Sequence, residues 1–382
     1  MPARVCHITS VHPANDVRIL YKECHSLAQH YDTYLLAPNV NDSLSEGVHI
    51  VGVPLSTHRL QRQLQLGRVM RKALEVDADI YHLHDPELMS VGLRIRRQGK
   101  RVIFDSHEDV PMQLLTKEYL PRWSRKPLSS LYAQWERHCL SRYDALITVT
   151  PSILERLRRI NPNSVMVTNY PRYQVLPHSY GRGGQQYVCF AGEIAERYMH
   201  HVVLESLRLT TANYLLAGRV FVDAYFQQLQ RSDLWSRVEY LGVLPPHEVG
   251  SLYQRADVGL VLLDYSPNVG YHKGTLGVLK MFEYMMAGLP VVATDFELWK
   301  EVVEGHQCGI CVNPHDPQAV AAAVNHILSH PDIAQQMGNN GRKAVETLYN
   351  WATQEPVLLG LYEQVLGNLL PTPDNSPYST LN

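Results

Sequence analysis

Residues 274–294 read GTLGVLKMFEYMMAGLPVVAT. Two glycines, Gly274 and Gly277, lead into an apolar helix expected over 276–287, whose only charges are Lys280 and Glu283. Gly288 stops that helix, and Leu289-Pro290 turns the chain into a β-branched strand, Val291-Val292-Ala293-Thr294. Loop, helix, turn and strand follow one another as in one unit of an α/β sheet. The first amides of the helix are left without intrahelical partners, and together with the helix dipole they attract a phosphate or diphosphate. Glu283 lies one turn further in. A carboxylate there repels phosphate but suits sugar hydroxyls, from which it accepts hydrogen bonds.

The same alternation extends over the chain. Strands are expected at 4–9, 33–37, 48–53, 79–83, 101–105 and 145–149, separated by helical patterns at 15–30, 59–75, 86–98, 127–142 and 151–160. Further strands are expected near 187–191, 213–217, 237–241, 258–262, 290–293 and 309–312. Helices near 200–209, 222–231, 246–255, 276–287, 297–303 and 316–328 separate them. Such βαβ alternation implies parallel sheets covered by helices on both faces. A chain of 382 residues exceeds what one core usually supports. Two doubly wound domains are therefore expected, 1–176 and 187–350. The intervening LPHSYGRGGQQ has no apolar period and is rich in glycine. A helix over 351–370 and a disordered tail over 371–382 complete the layout.

Composition narrows the class. Hydrophobic residues make up 45% and charged residues 19%, as in a globular protein. No apolar run is long enough to span a membrane. A strand starting at Arg4 leaves no room for a signal peptide, and six scattered cysteines suit a reducing compartment, so a cytoplasmic location is expected. The net charge of −2 divides unevenly: residues 1–180 hold 23 Lys and Arg against 17 Asp and Glu, and the remainder 12 against 20. The basic half suggests an anionic partner such as a membrane surface or lipid phosphate. Nucleic acid is not expected, since no aromatics interleave the basic clusters and no reader motif is present.

In doubly wound sheets ligands bind beyond the carboxyl ends of the strands. Three strand ends in the first half carry polar side chains suited to binding. His12 and Asp16 follow the first strand, His84-Asp85 the fourth, and Asp105-Ser106-His107-Glu108-Asp109 the fifth. Arg18, Lys22 and Glu23 fit either this site or a solvated helix face. In the second half, Gly192-Glu193 follows a strand, Arg197 comes soon after, and Leu241-Gly242 ends another. Arg197 fits either a diphosphate contact or an exposed surface residue.

The segment EYMMAGLPVVATD, Glu283 to Asp295, resembles the donor-binding segment of the retaining GT-B glycosyltransferases of family 4. Glu283 matches the second acid of that family's Glu-x7-Glu pattern, and Thr275 stands at the first. The resemblance implies two Rossmann-like domains facing a central cleft and transfer of a sugar from a nucleotide-diphosphate donor, a UDP- or GDP-sugar. Anomeric configuration would be retained, without a metal or other cofactor. It assigns donor contacts to Glu283, Lys280, Arg197, Gly242, Thr275 and Gly277, and acceptor contacts to His12, Asp16, His84 and Asp85. His107 and Glu108 fall to catalysis. Glu193 stands where the family usually has Arg, so Lys280, or less directly Lys273, would supply a missing cation. His12-Pro13 replaces the common Gly-Gly. The final helix would cross back onto the first domain. The expected acceptor is a lipid-linked glycan in surface polysaccharide synthesis. A small soluble acceptor, a sugar-nucleotide 2-epimerase and a silent nucleotide-sugar-binding subunit are the alternatives.

Two further features have competing readings. His306, Cys308, Cys311 and His315 have the composition of a zinc set, but 309–312 reads better as a strand that turns the two cysteines to opposite faces. Residues 59–74 form a basic amphipathic helix, expected to place Leu60, Leu64, Met70 and Leu74 on one side. It either lies on anionic lipid, making the protein peripheral on the inner membrane face, or covers a sheet.

Overall fold

The computed structural model describes residues 2–117, 119–176 and 184–367. Most of the expected linker (177–183), the end of the last helix (368–370) and the tail lie outside the described residues. The chain forms two compact units, Met1–Asn169 joined by the residues from Gln354 on, and Tyr170–Thr353. The observed division thus falls seven residues before the expected end of the first domain.

The first unit has eight strands, β1 Arg4–Ile8, β2 Asp32–Pro38, β3 Ser43–Ser45, β4 Val48–Val53, β5 Ile80–Leu83, β6 Arg101–Ser106, β7 Ala145–Thr148 and β8 Ser164–Met166. They run in the order β3-β4-β2-β1-β5-β6-β7-β8, parallel except for β3 against β4. The order reverses direction between β1 and β5. The apolar core lies on one face, where Cys6, Ile8, Tyr81 and Leu83 meet the helices Arg59–Val76 and Met89–Arg97. Because side chains alternate across a strand, His7 and His82 point to the other face. The register pairs them directly, His7 beside His82.

The second unit has six parallel strands, β9 Tyr187–Ala191, β10 Asn213–Ala217, β11 Val238–Tyr240, β12 Val258–Val261, β13 Val291–Thr294 and β14 Gly309–Val312. Their order is β11-β10-β9-β12-β13-β14. Counted within the unit, that is 3-2-1-4-5-6, the dinucleotide-fold order, with its switch point between β9 and β12.

Several elements differ from expectation. The helix opened by Gly274 and Gly277 starts three residues late, as Leu279–Ala287. Thr275 holds the preceding loop: its hydroxyl accepts from the Gly277 amide at 3.1 Å and its carbonyl from the Trp299 indole at 2.6 Å. Such local bonds compete with helix formation. Helix Pro331–Thr347 was not anticipated, because Gly338, Asn339, Asn340 and Gly341 depress its propensity. Gly341 is what the packing needs. A Cβ there would sit 3.3 Å from Met285 Cα, tighter than most such contacts, so glycine suits the close approach of this helix to Leu279–Ala287. Arg342 then donates to the carbonyl of Ala287 at 3.0 Å and satisfies that helix end.

Helix Arg59–Val76 buries Leu66, Val69, Ala73 and Val76. Leu60 and Leu64 point outward, and Met70 and Leu74 lie partly against the core. The side that carries the four expected residues is therefore not the buried face of the helix. In the segment around Cys308 and Cys311, Cys308 Sγ lies against the Val302 and Val303 carbonyls. His306 bonds to Tyr349 and His315 to Asp264.

Candidate active site

A cavity of about 720 Å³ opens in the first unit at the carboxyl ends of β1, β5 and β6. His12, His84, Asp85, His107 and Glu108 all reach its wall. Asp85 is buried and fastens the loop after β1. One of its oxygens accepts from the Thr9 hydroxyl at 2.8 Å and the Ser10 amide at 2.6 Å. His12 is partly exposed, with Nδ1 3.3 Å from Asp16 and Nε2 3.5 Å from Asp85. The Asp16 carboxylate, with Asp85 beyond it, raises the His12 pKa against the opposing effect of burial. His107 is partly exposed, and its Nε2 lies 3.0 Å from Asp105 Oδ2. Glu108 accepts from Gln113. Of the expected acceptor-side residues, His12 and Asp16 keep some exposure, whereas His84 and Asp85 are largely occupied by internal contacts.

Behind this wall lies a polar network that sequence reading did not assemble. Arg18, Lys22 and Glu23 do not form a solvated helix face: they are 5%, 2% and 0% exposed. A π-helical turn, Ile19–Cys24, replaces the expected regular helix, with the Glu23 amide donating to the Arg18 carbonyl at 3.0 Å. Arg18 lies 2.8 Å from Asp105 and 2.9 Å from Glu23, and donates to the Val167 carbonyl at 2.9 Å. Lys22 bonds to Asn169 Oδ1 at 2.6 Å. Across the sheet face, His7 Nδ1 is 2.9 Å from His84 Nε2, and His7 Nε2 is 2.9 Å from the Tyr362 hydroxyl. That hydroxyl is also 2.8 Å from His82 Nδ1. Tyr362 belongs to the final helix, Trp351–Leu366, whose residues from Gln354 on are part of the first unit.

Burial would raise the Asp105 carboxyl, but the Arg18 guanidinium and the neighbouring imidazoles hold it well below the usual range. Burial, reinforced by Asp105, pushes Glu23 well above its range despite Arg18. Burial lowers His7, His82 and His84, and takes His200 in the second unit to about 3.

These shifts set the acid stability. Unfolding frees the four buried histidines to take up protons near pH 6.5. Below that value the unfolded chain binds more protons at these sites, so their contribution to stability falls as the pH drops. Glu23 and His12 act oppositely, because raised pKa values favour the folded state on acidification. His201 and His306, also lowered by burial, join the first set and Glu136, raised by burial, the second, so six groups against three leave net proton uptake on unfolding. The melting temperature should therefore fall from pH 7.5 to 5.5, by about 1.4 kcal/mol of stability per net proton per pH unit. Thermal melts across that range test this, and a melting temperature that rises on acidification would contradict it.

In the second unit the turns after β9, β10 and β11 lie together. Gly218 has φ +143°, and a Cβ there would stand 1.5 Å from the Gly192 carbonyl oxygen. Its amide donates to the Gly242 carbonyl at 2.7 Å. Lys280, in the first turn of its helix, reaches over this turn. Its Nζ lies 4.6 Å from the Phe190 ring centre and 4.1 Å from that of Tyr198. Arg197 pairs with Glu193 and also stacks on Tyr198. Burial would raise the Tyr198 phenol, but Lys280 and Arg197 outweigh it and hold it below its usual value. Lys280 makes no ion pair among the described residues. Glu283 is half-buried, and its Oε2 accepts from the Tyr253 hydroxyl at 2.8 Å. The expected donor residues thus form one neighbourhood around Gly192, Arg197, Gly242 and Lys280. Glu283 sits one turn deeper, and Thr275 and Gly277 lie on the loop before the helix. Tyr198 and Tyr253 were missed, since nothing in their local sequence marks them.

Residues 177–344 match the family model of the glycosyl transferases group 1, and residues 17–169 that of glycosyltransferase family 4. The D-rhamnosyltransferase WbpZ of Pseudomonas aeruginosa is 22% identical over 333 residues, covering 80% of this chain and 82% of that protein. The phosphatidyl-myo-inositol mannosyltransferase of Mycobacterium leprae is 26% identical over 354 residues, 87% of each chain. Anabaena HepE, solved in complex with UDP-glucose, superposes with a TM-score of 0.71 at 16% identity, over 96% of this chain and 100% of that one. Two family models thus cover both units, and each unit has the sheet order of a Rossmann-like domain: the chain belongs to the GT-B glycosyltransferases of family 4.

Proposed function

We propose that this glycosyltransferase moves a sugar from a nucleotide-diphosphate donor held by the second unit to an acceptor hydroxyl held by the first. The anomeric configuration is retained, and no metal takes part. The observation that carries the reading is Lys280, an ammonium without a carboxylate partner among the described residues, set over the Gly192 turn at the head of its helix. Its charge and the helix amides suit the leaving diphosphate. Glu283 Oε1 suits a ribose hydroxyl. The solved complex of HepE with UDP-glucose is consistent with such a donor.

The acceptor is a lipid-linked glycan, and the protein works at an anionic membrane surface. No described helix is long and apolar enough to cross a membrane. Instead, two helices that contribute residues to the cavity wall carry exposed apolar side chains. Leu60 and Leu64 come from one helix, and Trp123, Leu131 and Trp135 from Arg122–Leu140. Arg59, Arg68, Arg71, Arg122 and Lys126 are exposed on the same two helices. Apolar side chains with flanking cations suit an interface of anionic lipid. Arg62 is not part of this set, because it is bound to Glu87 at 2.5 Å.

The test is transfer of labelled sugar from UDP- and GDP-sugars to lipid-linked glycans, with the product anomer read by NMR and EDTA present throughout. Conversion of the donor to its 2-epimer, or nucleotide binding without turnover, would replace this reading. In parallel, Leu64→Ser with Trp123→Ser should reduce sedimentation with anionic vesicles several-fold. A wild-type protein that ignores such vesicles at low salt would remove the membrane part.

A further inference from the structure

The buried network behind the cavity has a direction, and it ends on His107. Asp105 is ionised, so it can only accept hydrogen bonds. Its Oδ2 receives Arg18 Nη2 at 2.8 Å and faces His107 Nε2 at 3.0 Å. His107 must therefore carry its proton on Nε2, which leaves Nδ1 as a lone pair. His84 Nδ1 faces the same oxygen at 3.7 Å, too far for a hydrogen bond, but a proton there suits the anion better than a lone pair does. The remaining links follow one at a time. His84 Nε2 is then an acceptor, and the proton between the rings belongs to His7 Nδ1. His7 Nε2 accepts from the Tyr362 hydroxyl, and the Tyr362 oxygen accepts from His82 Nδ1. This assignment leaves His82 Nε2 as a lone pair, in agreement with its having no hydrogen-bond partner. Glu23, held protonated, can donate to Asp105, whose Oδ1 otherwise has no partner. Arg18 and Asp105 then compensate each other's charge inside the unit.

We propose that Asp105 is a positioning residue: anchored by Arg18, it fixes His107 as the Nε2–H tautomer. Nδ1 is then the ring nitrogen left to accept a hydrogen bond from a sugar hydroxyl in the cavity. The same carboxylate sets His84, His7 and His82 in the opposite, Nδ1–H form. That form is the less favoured one for a free side chain in water, so finding it at all three would point to a common cause. A metal ion held by His7, Glu23, His82 and His84 is the competing use of this cluster, whose ligand atoms lie within 4.8 Å of one another. It would need lone pairs on both His7 Nδ1 and His84 Nε2. The hydrogen bond between them, and the Arg18 cation beside Glu23, argue for protons instead.

The kinetic arm of the test rests on the transferase reading, whereas the spectroscopic arm does not. Full-length wild-type protein with ¹⁵N-labelled histidine should show, near pH 7.5, an Nε2–H imidazole assigned to His107 and three neutral Nδ1–H imidazoles assigned to His7, His82 and His84. Asp105→Asn should disturb the His107 signal first. It should lower kcat about 10-fold or more with donor KM changed less than about 2-fold. In a His107→Ala background the same substitution should change kcat less than about 2-fold, because it acts through the ring. Nδ1–H at His107, Nε2–H at His7 or His84, additive kcat losses, or one metal ion per chain on elemental analysis would each overturn the proposal. If no donor and acceptor pair turns over, the transferase reading fails. The wild-type spectrum, which needs no variant to fold, still decides the tautomers.

Discussion

His107→Ala is expected to lower kcat by roughly 10²-fold or more while leaving nucleotide affinity near wild type. The ring stands at the carboxyl end of β6, on the wall of the cavity. There it can hydrogen-bond a sugar hydroxyl and help hold the anomeric carbon against the acceptor without acting as a nucleophile. The nucleotide is proposed to bind in the other unit, so its affinity should not follow the loss of this ring. Nor should the fold depend on it greatly, because Asp105 keeps its ion pair with Arg18 at 2.8 Å. The competing account is a histidine that only satisfies a turn, whose loss costs about 1 kcal/mol of stability and little turnover. Steady-state kinetics and a melting curve on one preparation separate the two. A normal kcat with a lowered melting temperature would move the catalytic site elsewhere.

Glu283→Ala should weaken nucleotide binding by about 1.5–3 kcal/mol, the range for hydrogen bonds to a charged group. In the free protein Glu283 already holds the Tyr253 hydroxyl at 2.8 Å. That bond orients the carboxylate before a ligand arrives, and burial with the Glu283 charge raises the Tyr253 phenol well above its usual range, so it stays a donor. Lys280→Ala should discriminate by phosphate: affinity for a nucleoside diphosphate falls, while that for the bare nucleoside barely changes. Isothermal calorimetry with UDP, GDP and uridine measures both effects. Unchanged diphosphate binding in both variants would sink the donor assignment.

Much of the architecture was legible because its signals are local. The apolar, β-branched strands alternate with helical patterns, and the observed strands fall within a residue or two of twelve expected positions. The two strands missed, β3 and β8, have three residues each. Helix Pro331–Thr347 was also missed. Its glycines lower its propensity, and the close contact that favours Gly341 lies on a helix more than fifty residues away. Tertiary packing overrode a local preference.

The candidate site divides along the same line. Residue type and strand-end position were enough to single out His12, His84, Asp85 and His107, because polar groups at the carboxyl ends of parallel strands converge whatever the details of packing, while Lys280 and Glu283 stood out as the only charges of an apolar helix. Whether such a residue faces the cavity or the interior depends on pairing register and on distant elements, which no local spacing contains. The register of β1 with β5 sets His7 beside His82, and a helix some 280 residues further along the chain brings Tyr362 onto both. A π-helical turn carries Glu23 inward, and Arg18 lies buried beside it between two acids. The sequence by itself determined two doubly wound units and the ends of their strands as the place for chemistry, through hydrophobic period and turn residues. Only the tertiary structure decided which of these polar groups are exposed and which are buried in the network beneath them, since burial is a property of the assembled layers.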